Sequence, residues 1–333
     1  MTDLDWCRTM LPKVSRTFSI GIQMMPEPLE AWITVGYLLC RVIDTVEDTP
    51  SINWATRRRL FTGFEDALAT GNCTAFESDA HVLPQDDDGE LSRGISRILT
   101  AMHSFPPPAQ QAMRTWVGEM SGGMALYARR HAYGDGHITL RSFADLDRYC
   151  YFVAGTVGHF LTDLFLIATP VLHVHSQRLR SHASGFGALL QMTNIIKDVT
   201  DDWARGWCFV PETALMEAGT TAEQLTDPSH AQNGVLAVDL VNARARALYA
   251  EAMAYILAIP REEEALRRFC LFPMLLAGRT LELARGNKAV VHPNSVVKVS
   301  RSIVEETMAQ VETLFSDDLG IGSLTLAVPG EPT

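Results

Sequence analysis

The side chains best suited to chemistry are six carboxylates in two matching sets. In residues 191–202, QMTNIIKDVTDD, the polar residues Gln191, Asn194, Asp198, Asp201 and Asp202 fall within roughly a 100° sector at helical pitch, while Leu189, Met192, Ile196 and Val199 point elsewhere. Far upstream, YLLCRVIDTVED carries Asp44, Glu47 and Asp48 at the same i, i+3, i+4 spacing. Tyr37 and Arg41 lie on or beside that face, and Leu38, Leu39, Val42 and Val46 turn away from it. Ionised carboxylates buried among Ile and Met without partners are costly, so cations are expected to offset them. Three acidic groups at this spacing suit a hard divalent ion such as Mg²⁺, which takes oxygen ligands and keeps some of its waters. If both helices face one cavity, their carboxylates hold a cluster of such ions, and a cluster of that charge calls for an anionic partner such as a diphosphate. One set alone would read as a solvated helix end beside Thr49-Pro50 or Trp203; two matching sets inside apolar helices favour a site.

The elements that must position these sets are helices. Period-3.6 patterns run over residues 15–25, about 28–47 with the first acidic set, 54–69, 91–103, 110–129, 142–169, 186–202 with the second set, 235–259, 262–285 and about 295–315. Arg57, Arg58 and Arg59 are expected as a solvated basic face, Ser142 with Asp145 as a capping pair, and Pro273 as a kink. Residues 70–89, including Asp86-Asp87-Asp88, and 131–140 show no sustained period and read as loops. Gly122 and Gly123 each cost a helix roughly 1 kcal/mol relative to alanine, so close packing or a ligand wall is expected there. Tyr149, Val153, Thr156 and Phe160 share a face on which Gly155 and Gly158 admit a close approach. Residues 203–211, WARGWCFVP, have the character of a flap over a bound ligand. His173 and His175 lack a nearby third ligand and read as incidental. With no strand or hairpin signal, the expected architecture is an all-α bundle around a central apolar cavity, one domain over residues 1–333 with a short flexible tail after about 318.

Composition narrows the class. A 47% hydrophobic chain of 333 residues can bury a sizeable core, and a formal charge of −11 argues against non-specific nucleic-acid binding. Six cysteines with no CxxC pair read as reduced core residues of a cytosolic protein. The N-terminus lacks a basic-then-apolar signal pattern, and no apolar run reaches the ~18–20 residues that span a bilayer, so a cytoplasmic protein without a transmembrane anchor is expected.

SRTF, YLLCRVIDTVED, DRYCYFVAGTVG, NIIKDVTDD and FCLFPMLLA together resemble the squalene/phytoene synthase family over about residues 15–301, and YCYFVAGTVG, FCLFP and VVKVSRS lean towards its squalene synthases. The resemblance implies an isoprenoid-synthase helical bundle. It implies Mg²⁺-dependent head-to-head condensation of two farnesyl diphosphates to presqualene diphosphate, and reduction of that intermediate to squalene by NADPH. Carried over residue by residue, it implies Asp44, Glu47, Asp48, Asp198, Asp201 and Asp202 as Mg²⁺ ligands, and Arg16, Arg41 and Lys197 as diphosphate partners. Gln191, Asn194, Val153 and Phe269 would line the substrate, and Tyr149, with Tyr37 and Arg41, would assist the proton loss that closes the cyclopropane ring. Lys298 and Arg301 are the candidates for the phosphates of NADPH, without any glycine-rich dinucleotide fingerprint beside them. Lys197 stands where the family often has arginine, turning a bidentate contact into a point charge, and Trp207 stands in the flap where arginine is common, with Arg205 two residues earlier. A synthase of presqualene diphosphate, hydroxysqualene, dehydrosqualene or phytoene that omits the reduction would share these motifs. A catalytically silent helical scaffold would be expected to shed the six carboxylates, and they are present. Oily substrates and products also imply peripheral contact with a membrane.

Overall fold

The computed structural model describes residues 1–15, 18–132, 138–293, 295–324 and 326. In chain order the helices are α1 (Asp3–Val14), α2 (Phe18–Gln23), α3 (Leu29–Asp48), α4 (Trp54–Thr70), α5 (Thr74–Asp79), α6 (Asp87–Arg93), α7 (Ile95–His103) and α8 (Pro107–Ala132). A two-residue strand β1 (Ile138–Thr139) precedes α9 (Phe143–Cys150), a π-helical turn (Tyr151–Gly155) and α10 (Thr156–Ala168). Then come α11 (Ser176–Lys197), α12 (Val199–Ala204), β2 (Trp207–Cys208), α13 (Glu212–Glu217), α14 (Ala231–Ala247), α15 (Tyr249–Leu257), α16 (Glu264–Ala284), α17 (Arg301–Leu314) and α18 (Asp318–Gly322). The chain folds as two compact units, one of residues Met1–Gly134 and Thr156–Val174, the other of Asp135–Gly155 and His175–Thr333.

The first unit is built on α3, which is apolar on nearly every side and, between Leu29 and Glu47, buried except at the half-buried Glu30, Tyr37, Arg41 and Asp44, as a helix enclosed by others must be. A Cβ at Gly36 would lie 2.1 Å from the Phe160 ring of α10, so only glycine lets the two helices meet here. Helix α1 precedes the first periodic segment, and it carries Pro12. Its start is fixed by a capping box between Thr2 and Asp5. The expected helix 91–103 is broken at Gly94, and its N-terminal part begins earlier, at Asp87. Gly122 corrects another expectation: a Cβ there would meet nothing within 4 Å, so close packing does not explain it.

The second unit packs α14, α15, α16 and the π-turn around α11. A Cβ at Gly187 of α11 would lie 2.1 Å from the Ala154 carbonyl oxygen of the π-turn. Gly187→Ala should therefore lose about 2 kcal/mol in urea unfolding, since overpacking against a backbone group that cannot swing aside costs about 3 kcal/mol and alanine returns only about 1 in helix propensity. An unchanged midpoint would refute that packing. Two expected loops carry strand: β1 pairs in parallel with β2, Ile138 beside Trp207 and Thr139 beside Cys208. Pro273 is accommodated inside α16. The last long helix starts at Arg301 rather than near 295, where the Ser300 hydroxyl accepts from the Ile303 N–H at 3.3 Å. Residues beyond 317, read as a tail, include α18. Asp318 at its start accepts from Arg267 Nη1 at 2.7 Å and Arg261 Nη2 at 2.9 Å.

All six cysteines are free and buried, and burial pushes the Cys7 and Cys208 thiols up to about 12, where they are unreactive. One expectation about apolar runs needs correcting: the helix Phe143–Ala168 is long and apolar enough to cross a membrane. About half of its apolar window is buried, by α8 and α3 along α10 and by α11 along the π-turn, and packing explains the composition.

Candidate active site

The first acidic set occupies the last two turns of α3, and each carboxylate has its own environment. Glu47 is 5% exposed, Asp44 half-buried and Asp48 exposed. Burial pushes the Asp44 carboxyl up to about 7; Arg41 pulls it down, and the like charges of Asp48 and Asp88 push it further up. Arg41 donates through Nε and Nη2 to the two oxygens of Asp88, at 2.8 and 2.9 Å. The acidic run 86–88 is thus no solvent loop. Asp86 caps α6, and Asp88, in its first turn, fixes the Arg41 fork. Tyr37, one turn before Arg41, has its hydroxyl hydrogen-bonded with Ser15; burial raises it, and its ring lies 6.1 Å from that of Phe18. Arg16 lies outside the described residues.

Arg57 was read as part of a solvated face and is instead 5% exposed. Its Nε donates to the Val46 carbonyl at 3.1 Å and its Nη2 to that of Thr49, so a buried guanidinium closes the C-terminal end of α3 beside Glu47 and Asp48. A periodic signal was present: Arg57 stands three and four residues before the buried Leu60 and Phe61, on the inward stripe of α4.

The second set does not ride one continuous helix. α11 ends at Lys197, and Asp198 (φ −108°, ψ 15°) is both its C-cap and the N-cap of α12, which carries Asp201 and Asp202. The Asp202 N–H still donates to the Asp198 carbonyl at 2.8 Å, so the i, i+4 relation survives the break. Asp202 is buried and Asp201 exposed. Lys197 is ion-paired with Asp198, and Arg205 with Asp202. On α11 the Gln191 side chain is half-buried and Asn194 is exposed.

Past α12 the chain turns through Gly206 (φ 89°), a left-handed backbone that favours glycine, into the expected flap. Trp207 and Phe209 are both buried there. Their rings stack at 5.2 Å and 12°, and Phe209 stacks in turn on Tyr149 of α9 at 4.6 Å and 22°. Tyr149 is 4% exposed, Val153 is buried in the π-turn and Phe269 half-buried on α16. Ile195, Val199, Asp202, Cys208 and Phe209 close together beneath the flap and leave no room there for a water molecule. Lys298 and Arg301 are exposed, and Arg301 Nε donates to Glu305 at 3.0 Å.

The donor chemistry of the acidic sets suits Mg²⁺. Among the described residues no three His, Cys, Asp or Glu side chains converge on one point. A hard ion that takes one or two carboxylates and completes its shell with water and phosphate oxygens needs no such cage. A cation bound at Asp44 would displace the proton that burial keeps there below about pH 7, so if Asp44 is a ligand the apparent Mg²⁺ affinity, read from the metal-induced shift in melting temperature, should rise about tenfold from pH 6 to pH 8. A pH-independent shift would remove Asp44 from the ligands.

The squalene/phytoene synthase family model matches residues 11–302, and the chain belongs to that family. It is 28% identical over 299 residues to the squalene synthase of Eremothecium gossypii, covering 89% of this chain and 65% of that one. It is also 28% identical to the squalene synthase ERG9 of Saccharomyces cerevisiae over 88% of this chain and 64% of that one, so it spans slightly less than two thirds of either relative. Among solved structures, TcSQS with the ligand BPH1237 superposes with a TM-score of 0.80 at 24% identity, over 93% of this chain and 86% of that one. A dehydrosqualene synthase in complex with ligand gives 0.66 at 20% identity, over 93% and 95%. The fold is the all-α isoprenoid-synthase bundle.

Proposed function

We propose that this chain is a squalene-synthase-type prenyltransferase. It would join two farnesyl diphosphates head to head to form presqualene diphosphate and convert that product to squalene with NADPH. The observation that carries the reading is the presence, in a member of this family, of both acidic sets, each with a basic side chain alongside: Arg41 beside Asp44, Lys197 on Asp198 and Arg205 on Asp202.

Asp44, Glu47 and Asp48 in the first unit and Asp198, Asp201 and Asp202 in the second would hold Mg²⁺, which supplies the positive charge that lets a diphosphate leave. Arg41, Lys197 and Arg205 now neutralise carboxylates. Once cations take that role, their side chains are released to bind phosphate oxygens, Arg41 through a planar fork and Lys197 as a point charge. Ionisation leaves an allylic cation that water would quench as an alcohol, and the apolar side chains of Val153 and Phe269 suit the dry surroundings it needs. Tyr149 would direct the proton lost on cyclopropane closure towards the departing diphosphate. The reductive step rests on the names of the relatives, with Lys298 and Arg301 as the candidate partners of the NADPH phosphates.

Mass-spectrometric product analysis after incubation with farnesyl diphosphate and Mg²⁺, with and without NADPH, tests the terminal step. Squalene that forms only with NADPH is the expected result. Hydroxysqualene or dehydrosqualene irrespective of NADPH would retain the condensation and refute the reduction.

A further inference from the structure

The flap holds an aromatic stack of three rings. Trp207 begins β2, whose backbone is tied to β1 by the two-residue ladder, and the Glu212 N–H donates to the Leu140 carbonyl at 2.7 Å on the far side of the flap. This segment is therefore anchored on both sides of Phe209. The Trp207, Phe209 and Tyr149 rings lie nearly parallel, at 12° and 22°, and all three are less than a tenth exposed. Stacking resists tilting of a ring out of the stack, and the tyrosine hydroxyl lies on the long axis of its ring. Holding the plane of Tyr149 therefore limits where its Oη can point. Tyr149 is also the penultimate residue of α9 before the π-turn, where the backbone departs from regular helical pitch and gives less support of its own.

We propose that Trp207 and Phe209 are positioning residues that hold the Tyr149 phenol in one orientation through the stacked ladder, so that the flap sets the direction of the tyrosine hydroxyl as well as covering the ligand. The inference rests on the reading of Tyr149 given under Proposed function. Trp207 takes a structural part in orienting the phenol rather than a part in phosphate binding.

Two measurements on the full chain test it. With 3-fluorotyrosine incorporated at position 149, ¹⁹F NMR should give one narrow line for the parent protein and for Trp207→Phe, and a shifted, broadened or doubled line for Trp207→Leu and Phe209→Leu. A line that none of these substitutions moves would overturn the proposal whether or not the protein turns over farnesyl diphosphate. In steady-state kinetics, Trp207→Leu should lower kcat about tenfold with KM within about twofold, and Trp207→Phe should restore most of the loss. In a Tyr149→Phe background the same leucine substitution should have almost no further effect. Losses that multiply would show that Trp207 acts independently of Tyr149 and overturn the proposal, with the condensation reaction left standing. A parent protein that fails to consume farnesyl diphosphate would defeat the proposed reaction, and the NMR result would then decide the positioning role alone.

Discussion

Asp44→Asn should lower turnover of farnesyl diphosphate about a thousandfold and, in the same protein, raise the melting temperature measured without metal at pH 8. The two effects have one origin. Burial and the neighbouring Asp48 and Asp88 lift the Asp44 carboxyl to about 7, well above its unfolded value. A raised acid favours the folded state at low pH and loses that contribution as pH rises through its folded pKa, so at pH 8 the ionised group opposes folding. The amide carries no charge and removes the opposition, but it also removes an anionic oxygen from the proposed Mg²⁺ shell. The metal-induced rise in melting temperature should shrink accordingly. An Asp44→Asn protein that is less stable than the parent without metal, or that keeps its turnover, would mean that Asp44 belongs to an ordinary ion pair.

Arg267→Ala should cost about 3 kcal/mol, roughly 4 °C in melting temperature, with little change in KM. Arg267 is 1% exposed, and its guanidinium donates to the Ile259 carbonyl at 2.8 Å, the Phe315 carbonyl at 3.0 Å and Asp318 at 2.7 Å. It thereby joins the turn before α16 to the end of α17 and the start of α18. Truncation leaves those carbonyls without their donor and opens a void the size of a long side chain. Arg267→Lys should fall between, because one ammonium cannot span three acceptors set out for a planar fork. Urea unfolding followed by far-UV circular dichroism measures the difference, and a midpoint unchanged by the alanine substitution would contradict it.

What the sequence disclosed and what it concealed divide along physical lines. Both acidic sets were legible because i, i+3, i+4 spacing in an apolar run is a local signal that tertiary structure need not alter. The break at Asp198 was not, since QMTNIIKDVTDD keeps helical period across it and only backbone angles reveal a residue capping two helices at once. Asp88 looked like one of three solvated aspartates because its partner, Arg41, lies 47 residues away. Arg57 hid in a run of three arginines, though the inward stripe of α4 would have separated it from Arg58 and Arg59. Trp207 drew attention as a departure from its relatives, but its stacking on Phe209 depends on a ladder of two residues, too short to leave any alternation in sequence.

Head-to-head condensation can be tested without any reductant. Purified protein incubated with farnesyl diphosphate and Mg²⁺ in the absence of NADPH should accumulate presqualene diphosphate, with a diphosphate released for each pair of substrates consumed. Farnesol or a cyclised monomer as the sole product, or substrate left intact, would contradict it.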